Sequence, residues 1–413
     1  KIDQIQITTT QTTELETWKD EYLNKYRNKK TNKIWQKTLA DKLQKLSEIL
    51  RLNEIVAQIP DNCDQLILVP HRYLHLFPLH ALPFTSKAEP KETAPTKYLL
   101  DCFPNGVKYA PSLQLLQLVQ NRLKTRPSIL PELQPLFAIQ NPTEDLANAD
   151  MEVETIKQRF NPHDILIKNQ ATKIAFTENV KNLSNASYIH FSCHGVFNFD
   201  YPLLSLLALA GSIETSPPPS TNPEPSVESS TPDIVGAVPP CPPESPCPPK
   251  TKRSVTMRSG KTVIPEKCLT LQEIFANLQL PQCNLVTLSA CETGLTDSTA
   301  MTDEYIGLPS GFLYAGSMNV VSTLWKVDDF ATAIFMIKFY QELQPKISVA
   351  VALNATQNWM RAVTRKDFMV WIESLKLDEN SIKEVKDWLS FDTRNELPFR
   401  KPKYWAAFCA TGY

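Results

Sequence analysis

Apolar positions recur on two different periods along this chain, and the change of period divides it. Between residues 14 and 58, Trp18, Tyr22, Tyr26, Ile34, Leu39, Leu43, Leu46 and Leu50 return mostly every three or four residues, with lysines between them. That spacing predicts a helical pair with one apolar face for packing on a following domain. From residue 65 the apolar residues come in short unbroken runs. These are QLILVP (65–70), PLFAIQNP (135–142), DILIKN (164–169), ASYIHFSCHG (186–195), LLSLLALAG (203–211), NLVTLSACETG (284–294) and NVVSTLW (319–325). Such runs predict strands buried on both faces. Helical spacing lies between them, over 148–160, 171–183, 268–280, 304–316, 328–343 and 349–363. Asn148 or Asp150 can cap the first of these helices, and two acids open the one at 328, where the helix dipole favours them. Strands alternating with helices predict a mainly parallel sheet covered on both faces, a three-layer α/β/α sandwich.

The pattern fails over about 212–265. This stretch is dense in proline and serine and nearly free of large apolar groups, so it cannot offset its ordering entropy by burial. It is expected to be a disordered, partly polyproline-II insert within the domain. The insert explains why 413 residues hold 33 prolines and only 10 glycines. The expected organisation is a helical lead-in over 1–60 and one α/β domain over 61–413. The chain opens on KIDQIQITTT without a methionine, which suggests a piece of a longer protein whose upstream region continues the lead-in.

Charge and cysteine usage exclude several classes. The net charge of −1 sets up no global field for nucleic acid or an anionic membrane. No run is long and apolar enough to span a bilayer. Nine irregularly spaced cysteines form neither a disulfide framework nor a CxxC zinc pattern. A reducing, cytoplasmic setting is expected, with no cofactor and no metal.

Two strand-like runs end alike. YIHFSCHG places His194 beside Gly195, and LVTLSACETG places Cys291 before Gly294. Open α/β sheets carry their chemistry at the carboxyl ends of the strands. If the two strands are neighbours, His194 and Cys291 face each other across that edge. A thiol needs a base or a lowered pKa to attack a carbonyl at neutral pH, and histidine is the usual base. Nearby glycines let a peptide approach closely and let backbone N–H groups point at a developing oxyanion.

The residues also carry a family resemblance, in order along the chain. LHLFPLHAL, HFSCHGVFN, PLLSLLALAG, LTLQEIF, LVTLSACETGL, DEYIGLPSGFLYAGSMNVVSTLWKVDD and the terminal YWAAFCATG resemble the CHAT domain. That is a caspase-like cysteine peptidase module related to separase, found mostly in bacteria and often fused to tetratricopeptide repeats. The resemblance runs from about 66 to 412 and leaves the insert unmatched. It implies a caspase-like fold and a Cys-His dyad, with His194 as base, Cys291 as nucleophile, and the N–H groups of Gly195 and Cys291 as oxyanion hole. No third side chain is identified that must orient His194. Metacaspase relatives carry an Asp two residues before the nucleophile, and Ser289 stands there in this chain. The separase pattern LWDVTD aligns with LWKVDD (324–329), which makes Asp329 the candidate pocket acid for a basic substrate side chain, with Asp328 beside it. Lys326 replaces an acid of that pattern. Both aspartates can equally cap the helix at 328.

Other clusters carry less. A zinc set of His190, Cys193, His194 and Cys291 is disfavoured because Cys193 points to the opposite strand face. His71, His75 and His80 sit in a proline-interrupted loop and are expected to pack or to bind backbone. Cys241 and Cys247 lie in the insert and are expected to be solvated. The function expected is a cysteine endopeptidase acting on a specific protein target, and on itself within the exposed insert. Upstream repeats and an activating partner are implied. The alternative is a non-catalytic caspase-like scaffold reporting the binding of upstream repeats; a thiol-dependent acyl transferase using the same dyad is more distant.

Overall fold

A computed structural model describes residues 5–84, 96–126, 134–199, 201–214, 255–257, 261–290, 293–295, 306–391 and 395–413. The strands of its main sheet, and of a small three-stranded one, mostly follow the apolar runs. In chain order they are β1 (Leu66–Leu68), β2 (Val107–Tyr109), β3 (Leu136–Gln140), β4 (His163–Ile167), β5 (Tyr188–Ser192), β6 (Gly195–Val196), β7 (Leu206–Leu207), β8 (Leu269–Thr270), β9 (Leu285–Ser289), β10 (Asn319–Thr323) and β11 (Phe408–Gly412). Eight of them form one sheet in the order β1-β2-β11-β10-β9-β5-β3-β4. All its pairings are parallel except β10 with β11. Every residue of β3, β5 and β9 is buried, as expected of strands covered on both faces.

Helices cover the two faces. One face carries α1 (Thr9–Arg27), α2 (Asn32–Lys37), α3 (Leu39–Ile49), α4 (Leu52–Gln58), α6 (Ala149–Lys157), α11 (Asp329–Glu342), α12 (Val349–Ala362), α13 (Arg365–Ser374) and α14 (Glu379–Ser390). The other carries α5 (Leu113–Thr125), α7 (Lys173–Glu178), α8 (Val180–Asn185), α9 (Leu271–Asn277) and α10 (Leu308–Ala315). Alternate residues divide between the two cores: Leu285 lies with the first face, and Val286 and Leu288 with the second. The three-layer α/β/α sandwich with a mainly parallel sheet is therefore the observed architecture.

The amino-terminal pair is four helices rather than two. It joins the first core through aromatic contacts, Trp18 on Phe77 at 4.8 Å and Trp35 on Trp325 at 5.5 Å. The run 203–211 adds no strand to the main sheet. It supplies β7 to a small antiparallel sheet, β6-β7-β8, because Pro202 opens a 3₁₀ turn there. The helix expected over 171–183 breaks into α7 and α8 at Asn179. Strands β2 and β11 and helices α5, α13 and α14 have no counterpart in the pattern reading.

The two roots of the predicted insert are ordered. Ile213 bridges to Val263, and Val255–Thr256 pair antiparallel with Thr262–Val263. Val263 and Met257 are buried there with Cys268. Residues 215–254 and 258–260, with Cys241 and Cys247, lie outside the described residues.

Candidate active site

Strands β9 and β5 are hydrogen-bonded neighbours, and their parallel register pairs Ser289 with Ser192. His194 and Cys291 each follow that pair by two residues in sequence, and the described residues that lead to them, Cys193 and Ala290, leave the sheet at one edge. Cys291 itself lies outside the described residues. The chain on either side of it is fixed. The Ala290 carbonyl accepts from Thr323 Oγ1 at 2.8 Å and Thr293 Oγ1 at 3.1 Å, and the Gly294 N–H donates to the Thr323 carbonyl at 2.7 Å. A Cβ on Gly294 would stand 2.9 Å from Ser322 Oγ, so the turn closes on the end of β10 only with glycine there.

His194 has a side-chain partner that the sequence reading does not supply. Its Nε2 lies 2.9 Å from Asp145 Oδ1. Asp145 follows β3, which pairs with β5 in a register that sets Gln140 beside Ser192. The adjacent strands β3, β5 and β9 are thus followed, in sequence, by Asp145, His194 and Cys291. The second carboxylate oxygen of Asp145 lies 2.6 Å from Lys261 Nζ, and Thr143 Oγ1 donates to the first. Burial raises the Asp145 carboxyl, but Lys261, Thr143 and His194 together override it and hold the pKa down to about 2. An ionised carboxylate only accepts, so Nε2 carries the hydrogen and a neutral His194 has its lone pair on Nδ1. Lys261 comes from the returning root of the insert. The sequence reading names no third side chain at His194; it conceals Asp145 because that residue is 49 positions away and meets His194 only through the register of β3 and β5.

The main chain beyond β5 also has a defined direction. The Ala208 N–H donates to the His194 carbonyl at 2.8 Å, and Gly195 pairs with Leu207. His194 and Ala208 are then a hydrogen-bonded pair, and Gly195 and Leu207 are not, so the Gly195 N–H points away from β7.

A cavity of about 220 Å³ opens beside His194, lined also by Asp145, Glu152, Ser289, Lys326 and Asp329. Ser289 is 6% exposed, and its hydroxyl has no hydrogen-bond partner among the described residues. Glu152, on α6, is buried with one oxygen 2.8 Å from His190 Nε2. His190 Nδ1 lies 3.3 Å from the Tyr340 hydroxyl, which donates to Thr287. Asp329 accepts from the Asn148 main-chain and side-chain N–H groups, both at 3.1 Å. Asp328 lies elsewhere: it caps α11 through the Ala331 N–H, accepts from Trp388 Nε1 and lines a different cavity. The structure thus brings His194, Ser289 and Asp329 to one cavity and leaves Asp328 outside it. Sequence reasoning misses Glu152 and Lys261 as well as Asp145; the acid-bearing turn NPTED (141–145) after a buried strand is the one signal available.

Two of the other histidines and cysteines adjoin the site: Cys193 lines the cavity beside His194, and His75 lines a small pocket with Gly294. Cys193 packs in the second core, on the face opposite His190. His80 is enclosed between Tyr109 and Gln357, and burial lowers its pKa to about 3; burial also lowers His75 to about 4. Among the described residues, no group of three or more His, Cys, Asp or Glu side chains is placed to hold a metal ion.

The CHAT domain family matches residues 31–413. The chain belongs to that family. Among solved structures, this CHAT domain matches a chain of the Saccharomyces cerevisiae separase–securin complex at 12% identity and a TM-score of 0.38, covering 82% of this chain and 15% of that one. It matches the Arg-specific cysteine proteinase gingipain R at 6% identity and a TM-score of 0.42, covering 90% and 67%. It also matches the complex of Porphyromonas gingivalis RgpB pro- and mature domains at 8% identity and a TM-score of 0.41, covering 98% and 77%. The CHAT domain spans under a sixth of the separase chain. No curated protein sequence matches it. No helix among its described residues is long and apolar enough to cross a membrane.

Proposed function

We propose that this CHAT domain is a cysteine endopeptidase in which Cys291 is the nucleophile, His194 the base and Asp145 the residue that positions His194. The observation that carries the reading is the 2.9 Å pairing of His194 Nε2 with an ionised Asp145, at the end of the strand beside the one leading to Cys291. In this reading His194 Nδ1 takes the thiol proton as sulfur attacks the scissile carbonyl carbon. Negative charge moves to the carbonyl oxygen, where the N–H groups of Gly195 and Cys291 stabilise it. Collapse of the tetrahedral species breaks the C–N bond, and His194 returns the proton to the leaving amine. Water, deprotonated by His194, then hydrolyses the thioester and regenerates the thiol. Asp145 offsets the imidazolium charge in both halves of the cycle.

The cavity beside His194 is the proposed site for the substrate side chain that precedes the cleaved bond. Asp329 at its mouth, Glu152 and the unpartnered Ser289 hydroxyl in its wall favour a long basic side chain. Lys326 opposes that preference. The polypeptide cut is a specific protein target, and the insert is a second, internal one. Labelling with a thiol-reactive peptide probe tests the assignment in wild type, Cys291→Ala and His194→Ala. The expected result is labelling of wild type alone; labelling that survives Cys291→Ala overturns it. Failure of every probe would favour a non-catalytic scaffold.

A further inference from the structure

A second cavity, about 380 Å³, lies between the amino-terminal helices and the segment that enters α11. Lys29, Lys33, Lys326 and Lys403 line it, with a single acid, Asp328. None of the four lysines forms an ion pair among the described residues. Asp328 is already engaged by the Ala331 N–H and the Trp388 indole. Lys403 is half-buried, and that burial lowers its pKa against the opposing pull of Asp328. Like charges gathered in one concavity repel, and low-dielectric walls focus their field. The arrangement is at its most favourable when an anion fills it.

The walls are built rather than incidental. Three separate chain segments meet there and are fixed to one another. The Trp325 indole donates to the Lys403 carbonyl at 3.2 Å, the Lys326 N–H donates to the Tyr26 hydroxyl at 3.1 Å, and Trp35 packs edge-on against Trp325. A pre-formed cleft of this volume is in the range that holds small molecules, and its fixed walls spare a ligand the cost of ordering them.

We propose that this cleft is a binding site for a small polyanion carrying two or more linked phosphate groups. Several separate ammonium groups, each a point charge, suit the spread-out oxygens of an oligophosphate better than a single carboxylate. Lys326 also lines the cavity beside His194. An oligophosphate that draws Lys326 towards itself removes positive charge from the cavity holding Asp329. The ligand therefore acts as an effector that strengthens binding of a basic substrate side chain. That second step rests on the peptidase reading; the binding step does not.

The test is calorimetric titration of the full chain with inorganic tripolyphosphate. Wild type is compared with Lys33→Gln, Lys403→Gln and Lys403→Arg, and with Lys181→Gln as a control exposed on α8. One saturable site is expected in wild type and in the control, weakened by added salt. Each Gln variant should bind about tenfold more weakly, the loss expected for one charge-assisted contact. Lys403→Arg should keep most of the affinity, which separates lost charge from lost folding. Absence of saturable binding, or equal affinity in wild type and both Gln variants, overturns the proposal. So does a requirement for long-chain polyphosphate, because the ligand would then be an extended polymer. Repeating the titration in Cys291→Ala keeps the two readings apart. That variant should bind as wild type does; in wild type, binding without peptidase activity would sink only the active-site assignment, and activity without binding would sink only this one.

Discussion

Asp145→Ala is the substitution that most directly probes the proposed chemistry. In the wild type both carboxylate oxygens are engaged, one by His194 Nε2 at 2.9 Å and the other by Lys261 at 2.6 Å. When His194 takes the thiol proton it becomes an imidazolium, and its bond to Asp145 becomes doubly charge-assisted. A hydrogen bond to a charged group contributes about 1.5–3 kcal/mol. If that stabilisation is present in the transition state and lost in the variant, kcat falls about 10- to 150-fold at one decade per 1.36 kcal/mol. KM should move little, because the bond does not touch bound substrate. The assay is kcat and kcat/KM on a fluorogenic peptide between mildly acidic and alkaline pH, with a thermal melt to show that the variant folds. A folded Asp145→Ala protein with kcat within twofold of wild type would refute the positioning role.

Further outcomes follow from the same geometry. The Asp145 carboxyl is held down from 3.8 to about 2, so its contribution to stability is complete above about pH 4 and is lost as pH falls through 2; the gap in urea midpoint between wild type and Asp145→Asn should close over that window, and a gap that widens instead would contradict it. Glu152→Ala leaves the buried His190 Nε2 without its hydrogen-bond partner, a loss of about 1–3 kcal/mol, measurable by urea unfolding. Gly294→Ala places a Cβ 2.9 Å from Ser322 Oγ and 3.0 Å from the Thr323 carbonyl, contacts relieved by a shift of a few tenths of an ångström; kcat/KM should fall, by less than the ~100-fold of a 1 Å misplacement, and unchanged kinetics would show that the segment has slack.

The parts of this molecule legible in its sequence are those whose signal is local. Strands β5, β9 and β10 are unbroken apolar runs because helices cover both faces, and such runs declare themselves without knowledge of their neighbours. The candidate base and nucleophile are visible for the same reason, each lying two residues past such a run. Asp145 is not, because its meeting with His194 depends on β3 standing beside β5, a fact of strand order rather than of composition. Lys261 is further removed: it sits at the edge of a proline-rich stretch and reaches the site only because Val263 and Ile213 close that stretch at its roots. Strand β11 is missed for another reason. It pairs antiparallel to β10 in an otherwise parallel sheet, and nothing in FCATG announces that reversal. Helices α13 and α14 carry ordinary cap signals at Thr364 and Asp378, in a stretch where no element was assigned.

The position of the insert has a topological consequence. It leaves the chain after β7 and returns before β8. Strands β9, β10 and β11, which follow it, occupy the middle of the sheet, clasped between β2 and β5, which precede it. A cut within the insert would therefore not divide the molecule in space. The carboxy-terminal fragment would remain held within the amino-terminal one, between β1 and β2 on one side and β5, β3 and β4 on the other, with no strand pairing severed. Nicked protein should thus elute from a sizing column as a single species and separate into two bands only after denaturation. Such a molecule would consist of two chains, with His194 and Cys291 on different polypeptides.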